Sequence, residues 1–182
     1  EIEDPRARFR VAAAARIGEV VEGTFDRVLC NAAFWQFPSL EEAVRAVAGI
    51  LDPGGLFVFN LPVSRLAGGD VSGGGLQTAL ARAVEEGSGE PFRTRTVEVD
   101  PGRLEEVLIS AEFSSPDRTR WTIPTTEGEV LELLRLPTMI GRIAPDLDPE
   151  ARRRVLERVE ESVDRDRSTE VEWEIWSQTL TA

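Results

Sequence analysis

The residues best suited to chemistry in this chain lie in one short run, Asn31-Ala32-Ala33-Phe34-Trp35-Gln36-Phe37. The asparagine carries an amide donor and acceptor, and the alanines let a ligand come close to the backbone. The aromatic rings can wall a cation or an apolar group. Proton transfer is harder to find. The chain has no histidine, lysine or tyrosine, and all 21 of its basic residues are arginine. Near neutral pH this leaves carboxylates, and at the margin Cys30, as the side chains able to exchange a proton. Histidine-based nucleophilic triads and histidine–cysteine zinc sites are therefore excluded within these residues. A carboxylate magnesium site stays open in principle, but no clustered spacing proposes one, and no metal ligand is assigned.

The elements around this run can be read from their periodicity. Val28-Leu29-Cys30 is a short apolar run without alternation, as expected of a parallel strand covered on both faces. Ser39 and Glu42 form a capping box, and Leu40, Ala43, Val44, Val47 and Leu51 repeat behind it at helical spacing. Asp52-Pro53-Gly54-Gly55 is expected to stop that helix, and Leu56-Phe57-Val58-Phe59 supplies a second buried strand. Strand, helix and strand make a right-handed crossover, the unit of an open α/β sheet. Ligands bind such sheets beyond the carboxyl ends of the strands, here Asn31–Phe37 and Asn60–Pro62.

The segment Phe25–Pro62, FDRVLCNAAFWQFPSLEEAVRAVAGILDPGGLFVFNLP, also resembles the fourth and fifth strands of class I S-adenosylmethionine-dependent methyltransferases. It is most similar in pattern to the small-molecule branch that includes trans-aconitate methyltransferase. The resemblance implies a Rossmann-like α/β sheet with S-adenosylmethionine as cofactor. Asn31, Ala32, Ala33 and Phe34 would lie at the methionine part of that cofactor, and Ala13 near its adenine. Trp35, Gln36, Phe37, Leu61 and Arg65 would face the methyl acceptor, with Arg135 and Arg142 as further cations that could anchor an acidic one. No catalytic residue is implied. Methyl transfer is compatible with the missing proton-transfer groups, because the sulfonium carbon is already activated and the enzyme can work by alignment and exclusion of water.

Upstream, the resemblance is incomplete. The glycine-rich turn after the family's first strand and the acid ending its second have no counterpart. The one glycine cluster, Gly68–Gly75, follows the second strand of the segment and is expected to be a loop. Ala7–Ala13 resembles the family's third strand, yet Ala12–Ala15 stands where an acid normally meets the adenine amine. The expected sheet is therefore partial, with its first strands absent and a bare apolar edge. Three arrangements would relieve that edge: a longer polypeptide, a second chain or homodimer contact covering it, or Phe9–Ala13 sliding in beside it.

Downstream, Gly75–Glu86 and Arg103–Glu112 are expected helices, Arg93–Asp100 an exposed strand, and Arg118–Pro124 a further strand. Thr126 and Glu129 cap a helix with Val130, Leu133, Leu134 and Leu136 facing inward, and Asp148-Pro149-Glu150 opens another. Thr169–Leu180 alternates Val171, Trp173 and Ile175 against Glu170, Glu172 and Glu174, which predicts an antiparallel closing strand with one wet face. The expected organisation is an α/β core of residues 1–62, 103–125 and 165–182, a glycine-rich loop and insertion over 63–102, and a helical cap over 126–164.

A net charge of −12 opposes binding to nucleic acid phosphates or to anionic membrane, and the resemblance implies a small-molecule partner. No transmembrane or leader pattern is visible, which points to the cytoplasm. The lone Cys30 sits in the strand as a core residue. Two functions follow from these observations: a small-molecule methyltransferase, or a methyltransferase-like scaffold or dimerisation domain that no longer binds cofactor.

Overall fold

The computed structural model describes residues 6–66, 75–89 and 98–181. The expected strand over 93–100 and the glycine cluster at 68–75 fall almost wholly outside these residues. The chain divides into two compact units. One comprises Glu1–Gly68, Val97–Trp121 and Trp173–Ala182; the other comprises Gly69–Thr96 and Thr122–Glu172. Residues 63–102 are thus split between the two, since Leu66 and Val99 join the first core while the helix Gly75–Ser88 packs in the second.

The first unit holds strands β1 (Phe25–Cys30) and β2 (Leu51–Pro62), joined by helix α1 (Leu40–Ala48). β1 and β2 are parallel, with Leu29 opposite Val58 and Cys30 opposite Phe59. Within the second unit, α2 (Gly75–Ser88) is the first helix. The first unit resumes with α3 (Pro101–Ser110), whose cap Asp100 accepts from Arg103 N at 2.8 Å. β3 (Asp117–Thr126) and β4 (Ser168–Thr179) complete a sheet of order β1-β2-β4-β3, and β4 runs antiparallel to β2 with Asn60 opposite Ile175 and Pro62 opposite Trp173.

α1 is shorter than its periodicity predicts. It stops at Ala48, and Leu51, expected on its apolar face, is the first residue of β2, opposite Phe25. Gly49 weakens helix continuation, and pairing Leu51 in the sheet buries it completely. The Pro-Gly-Gly sequence then makes the bend inside the strand's start. Gly54 has φ 77°, and a side chain on Gly55 would meet Asp52 O at 2.7 Å.

α1 and α3 cover one face of the sheet. Their Val44, Val47, Leu104, Val107 and Leu108 pack with Phe57, Phe59 and Trp176. An ion pair between Arg103 and Glu41 links the two helices at the surface. Among the described residues no element of this unit covers the opposite face of β1, and Leu29 is 73% exposed. The expectation of a strand covered on both faces is thus met on one face only, because Val28 and Cys30 turn inward and no described helix of this unit lies over Leu29.

β1 lies at the end of the sheet, and Ala7–Ala13 forms no strand beside it. Phe9 is 70% and Val11 100% exposed, so this segment does not cover the edge. An extended segment becomes a strand only when its backbone finds a partner ladder. Residues Ala14–Glu19 form instead a 3-10 turn packed against α1.

In the second unit, α2 packs with α4 (Glu127–Leu134), α5 (Pro137–Ile143) and α6 (Pro149–Ser162) around Leu80, Leu131, Val155 and Val159. The capping box of Thr126 and Glu129 is present. Leu133 and Leu136, expected to face inward, are exposed, and Leu131 is fully buried in their place. Leu131 and Leu134, three residues apart, set the buried face of α4 and leave Leu133 turned outward, while Leu136 falls between α4 and α5.

β4 also departs from its simple alternation. Glu174, Trp176 and Gln178 are buried, while Trp173 and Ile175 are half-buried. β4 lies between β2 and β3, and Arg118 and Arg120 of β3 hold the Glu174 carboxylate inside, a partnership that alternation along β4 alone does not reveal. Among the described residues no helix is long and apolar enough to cross a membrane.

Candidate functional site

The ladder between β1 and β2 ends at Cys30 opposite Phe59, and the loop leaving β1 is tied by side chains to Asn60, the next residue of β2. Asn60 Oδ1 accepts the Ala32 backbone N–H at 2.6 Å, and Asn60 Nδ2 donates to Asn31 Oδ1 at 2.9 Å. Gln36 Nε2 donates to Ala32 O at 3.1 Å. These bonds hold Ala32 at φ 52°, a left-handed conformation that costs a non-glycine residue about 1 kcal/mol. A 3-10 turn over Phe34–Gln36 follows and leads to the Ser39 cap of α1, where Ser39 Oγ accepts from Glu42 N at 3.2 Å.

The turn divides its aromatic residues. Phe34 is 0% exposed; it stacks on Phe59 with ring centroids 4.0 Å apart and planes 15° from parallel, and it meets Phe37 edge-on at 5.8 Å. Phe34 therefore belongs to the core that carries the loop, and Leu61 is buried in the same way. Asn31, Ala32 and Gln36 are exposed, and Ala33, Trp35 and Phe37 are half-buried. Trp35 meets Trp173 of β4 at 5.7 Å and 55°, opposite the end of β2. The sequence put Asn60 in the ligand-binding range Asn60–Pro62 without giving it a role, and it left Trp173 outside the site. The role of Asn60 could have been suspected from its place as the first polar residue after the apolar run Leu56–Phe59, whereas Trp173 looked like one more residue of an alternating strand.

Two groups near the strand ends have altered acidity. Burial pushes the Cys30 thiol up to about 11, so it is protonated at neutral pH and does not act as a nucleophile. Arg65, in the short turn Val63–Arg65 after β2, is half-buried, and loss of solvent lowers its pKa. Among the described residues Arg65 makes no ion pair, and its backbone O accepts from Val99 N at 2.8 Å. Arg135, in the other unit, is committed to Glu160 at 2.5 Å and Glu132 at 3.6 Å. The Arg142 side chain lies outside those described. No group of three or more histidine, cysteine or acidic residues among the described residues could hold a metal.

Ala13 is exposed beside an open recess of about 250 Å³ lined by Val11, Ala12, Ala13, Arg16, Glu19 and Val20. Arg16 and Glu19 face one another across it at 2.6 Å. The recess thus offers apolar surface and a closed ion pair rather than a free acid.

A loop fixed at the carboxyl ends of two parallel strands defines the ligand-binding region of an open α/β domain. Residues 1–59 match a family model described as a methyltransferase domain, a span that takes in β1, the locked loop, α1 and most of β2. No curated protein matches the chain.

Solved structures similar to it include the [4+2]-cyclase SpnF, at 16% identity, 88% of this chain, 52% of that chain and a TM-score of 0.45. The YcgJ protein of Bacillus subtilis is similar at 11% identity, with 87% and 65% of the two chains covered and a TM-score of 0.46. A Haemonchus contortus phosphoethanolamine N-methyltransferase, solved with phosphomonomethylethanolamine and S-adenosylhomocysteine, is similar at 13% identity, 87% of this chain, 34% of that chain and a TM-score of 0.40. The chain therefore spans between about a third and two thirds of the length of these structures.

Proposed function

We propose that this chain is the acceptor-side part of an S-adenosylmethionine-dependent methyltransferase acting on a small molecule. The observation that carries the reading is the asparagine lock. Asn60, the residue just after the matched span, fixes Asn31 and Ala32, which lie within the residues that match the methyltransferase domain.

The fit to the cofactor differs between its two ends. Asn31 is exposed, and Ala32 and Ala33 carry minimal side chains, so this loop suits the methionine end. The adenosine end has no such fit, because the charged side chains lining the recess beside Ala13 are Arg16 and Glu19, which are paired with each other. When bound, S-adenosylmethionine supplies the activated methyl group. The chain's own contribution is alignment and exclusion of water. In this reading Trp35 and Trp173 wall the space beside the loop, and Arg65 offers a cation that makes no ion pair among the described residues. None of these residues removes a proton at neutral pH, which suits an acceptor whose nucleophilic atom is already deprotonated, such as a carboxylate. The reading also carries the cytoplasmic placement expected from the sequence.

Calorimetric titration of S-adenosylhomocysteine into the full natural polypeptide tests the proposal. Saturable binding that is weakened by Asn60→Ala supports it. No heat and no thermal shift at millimolar ligand would overturn it in favour of the scaffold, the reading with which the open edge of β1 is also compatible.

A further inference from the structure

At the level where β2 ends, β4 carries a second group of polar residues outside the asparagine lock. Glu174, opposite Leu61, has a side chain only 4% exposed. Its two oxygens take two different guanidinium groups. Arg118 donates to Oε1 from Nε at 2.8 Å and approaches it with Nη2 at 2.6 Å, while Arg120 donates to Oε2 from Nε at 3.2 Å.

One arginine in a bidentate fork would satisfy a buried carboxylate. Here two are drawn to it, leaving a local surplus of one positive charge in a chain of net charge −12. Arg118 and Arg120 are two residues apart on a strand, so they project to the same face of the sheet. Arg118 also lies over the Trp176 ring at 4.4 Å, which orients its plane, and Arg120 remains largely exposed. The indole Nε1 of Trp176 is buried without a hydrogen-bond partner, an unusual state for a buried donor. Trp173, the residue before Glu174 on β4, belongs to the other face of the strand, where it meets Trp35 of the candidate site.

We infer that Arg118 and Arg120, aligned by Glu174, form an anion subsite that takes a carboxylate or phosphate group of the acceptor. This rests on the methyltransferase reading for the word acceptor, though the anion site itself does not depend on it. Glu174 is a positioning residue: it fixes two guanidinium forks side by side, so that less side-chain freedom is lost when an anion binds. The planar forks favour an oxyanion with two oxygens to offer over a simple halide.

The test uses the full natural polypeptide and two probes, succinate and inorganic phosphate, titrated separately at constant ionic strength with and without S-adenosylhomocysteine. Binding is followed by calorimetry and by the indole N–H resonances of the tryptophans. Saturable binding of either probe that shifts the Trp176 indole signal supports the inference, and which probe binds more tightly tells a carboxylate acceptor from a phosphorylated one. Arg120→Gln, which leaves the Arg118–Glu174 pair intact, is expected to weaken the probe roughly tenfold, whereas Arg120→Lys weakens it less. Arg154→Gln, which removes only a surface pair with Glu150, leaves probe binding unchanged.

A probe response that is unsaturable, or equal in wild type and Arg120→Gln, overturns the inference and makes the cluster a purely structural ion ladder. Circular dichroism of each variant establishes that it is folded, and Arg120→Lys carries the comparison if Arg120→Gln is not. Failure of S-adenosylhomocysteine to bind would sink the methyltransferase reading while leaving the anion titration of the free protein readable.

Discussion

The side-chain amide of Asn60 meets that of Asn31 at 2.9 Å, so β1 and β2 are joined by side chains just beyond the point where their backbone ladder ends. The same amide accepts the N–H of Ala32. One residue of β2 therefore sets the conformation of the loop that leaves β1.

Asn60→Ala removes both bonds and leaves the loop without its anchor. A loss of about 1 kcal/mol in folding free energy is expected, since the groups released can reach water. Affinity for S-adenosylhomocysteine should fall by more than stability does, because the loop then samples other conformations before binding. Asn60→Asp keeps an acceptor for Ala32 and should lie between the two. Urea denaturation and calorimetry on the same samples check this, and equal affinity in all three proteins would detach the lock from binding.

Ala32 offers a test with the opposite sign. Its φ of 52° is strained for alanine and free for glycine. Ala32→Gly should raise stability by up to about 1 kcal/mol, less the entropy that glycine adds to the unfolded chain. Ala32→Val should lower it by about 1–2 kcal/mol, because a β-branched residue tolerates this region poorly. Thermal midpoints of the two variants moving the same way would rule out the strain.

Phe34 and Trp35 are adjacent but should behave differently. Phe34→Ala empties a buried space between Phe59 and Phe37 and should cost about 3–5 kcal/mol. Trp35→Leu should cost much less, because Trp35 is only half-buried, and should act mainly on ligand affinity. Denaturation midpoints beside binding isotherms separate these roles. A Trp35 variant as unstable as the Phe34 variant would place Trp35 in the core.

Cys30 predicts an alkaline dependence of stability. Its thiol ionises near 8.5 when unfolded and at about 11 when folded, so the folded state disfavours the thiolate. The stabilisation is complete below the unfolded value and is lost as pH rises toward the folded one. No lysine or tyrosine titrates in this window. Urea midpoints should therefore decline from about pH 8.5 upward, and Cys30→Ala should flatten the decline. Iodoacetamide should modify the native thiol slowly and the unfolded one quickly. Rapid native labelling would contradict the burial.

Much of the crossover was legible in advance. The Ser39 cap, the apolar run Leu56–Phe59 and the capping box of Thr126 and Glu129 are local signals, and each appears where its chemistry places it. What escaped was set by distant partners. Leu51 left its helix because Phe25 gave it a strand to join, and Ala7–Ala13 had strand-like residues but nothing to pair with. Glu174 is the clearest case. Its alternation with Trp173 and Ile175 marked it for solvent, yet Arg118 and Arg120 from another strand hold its charge inside. At the site, the loop after β1 was visible as a run of small and aromatic residues. Asn60, which positions that loop, lies 28 residues from Ala32 along the chain and is joined to it only in space.

The tilted pair of Trp35 and Trp173 has an optical consequence. Two indole chromophores held 5.7 Å apart at 55° couple their electronic transitions and give the protein a two-lobed circular dichroism signal that isolated tryptophans lack. Since one ring belongs to the loop after β1 and the other to β4, that signal measures how the loop sits against the sheet. A compound entering between them would change it without any label being added.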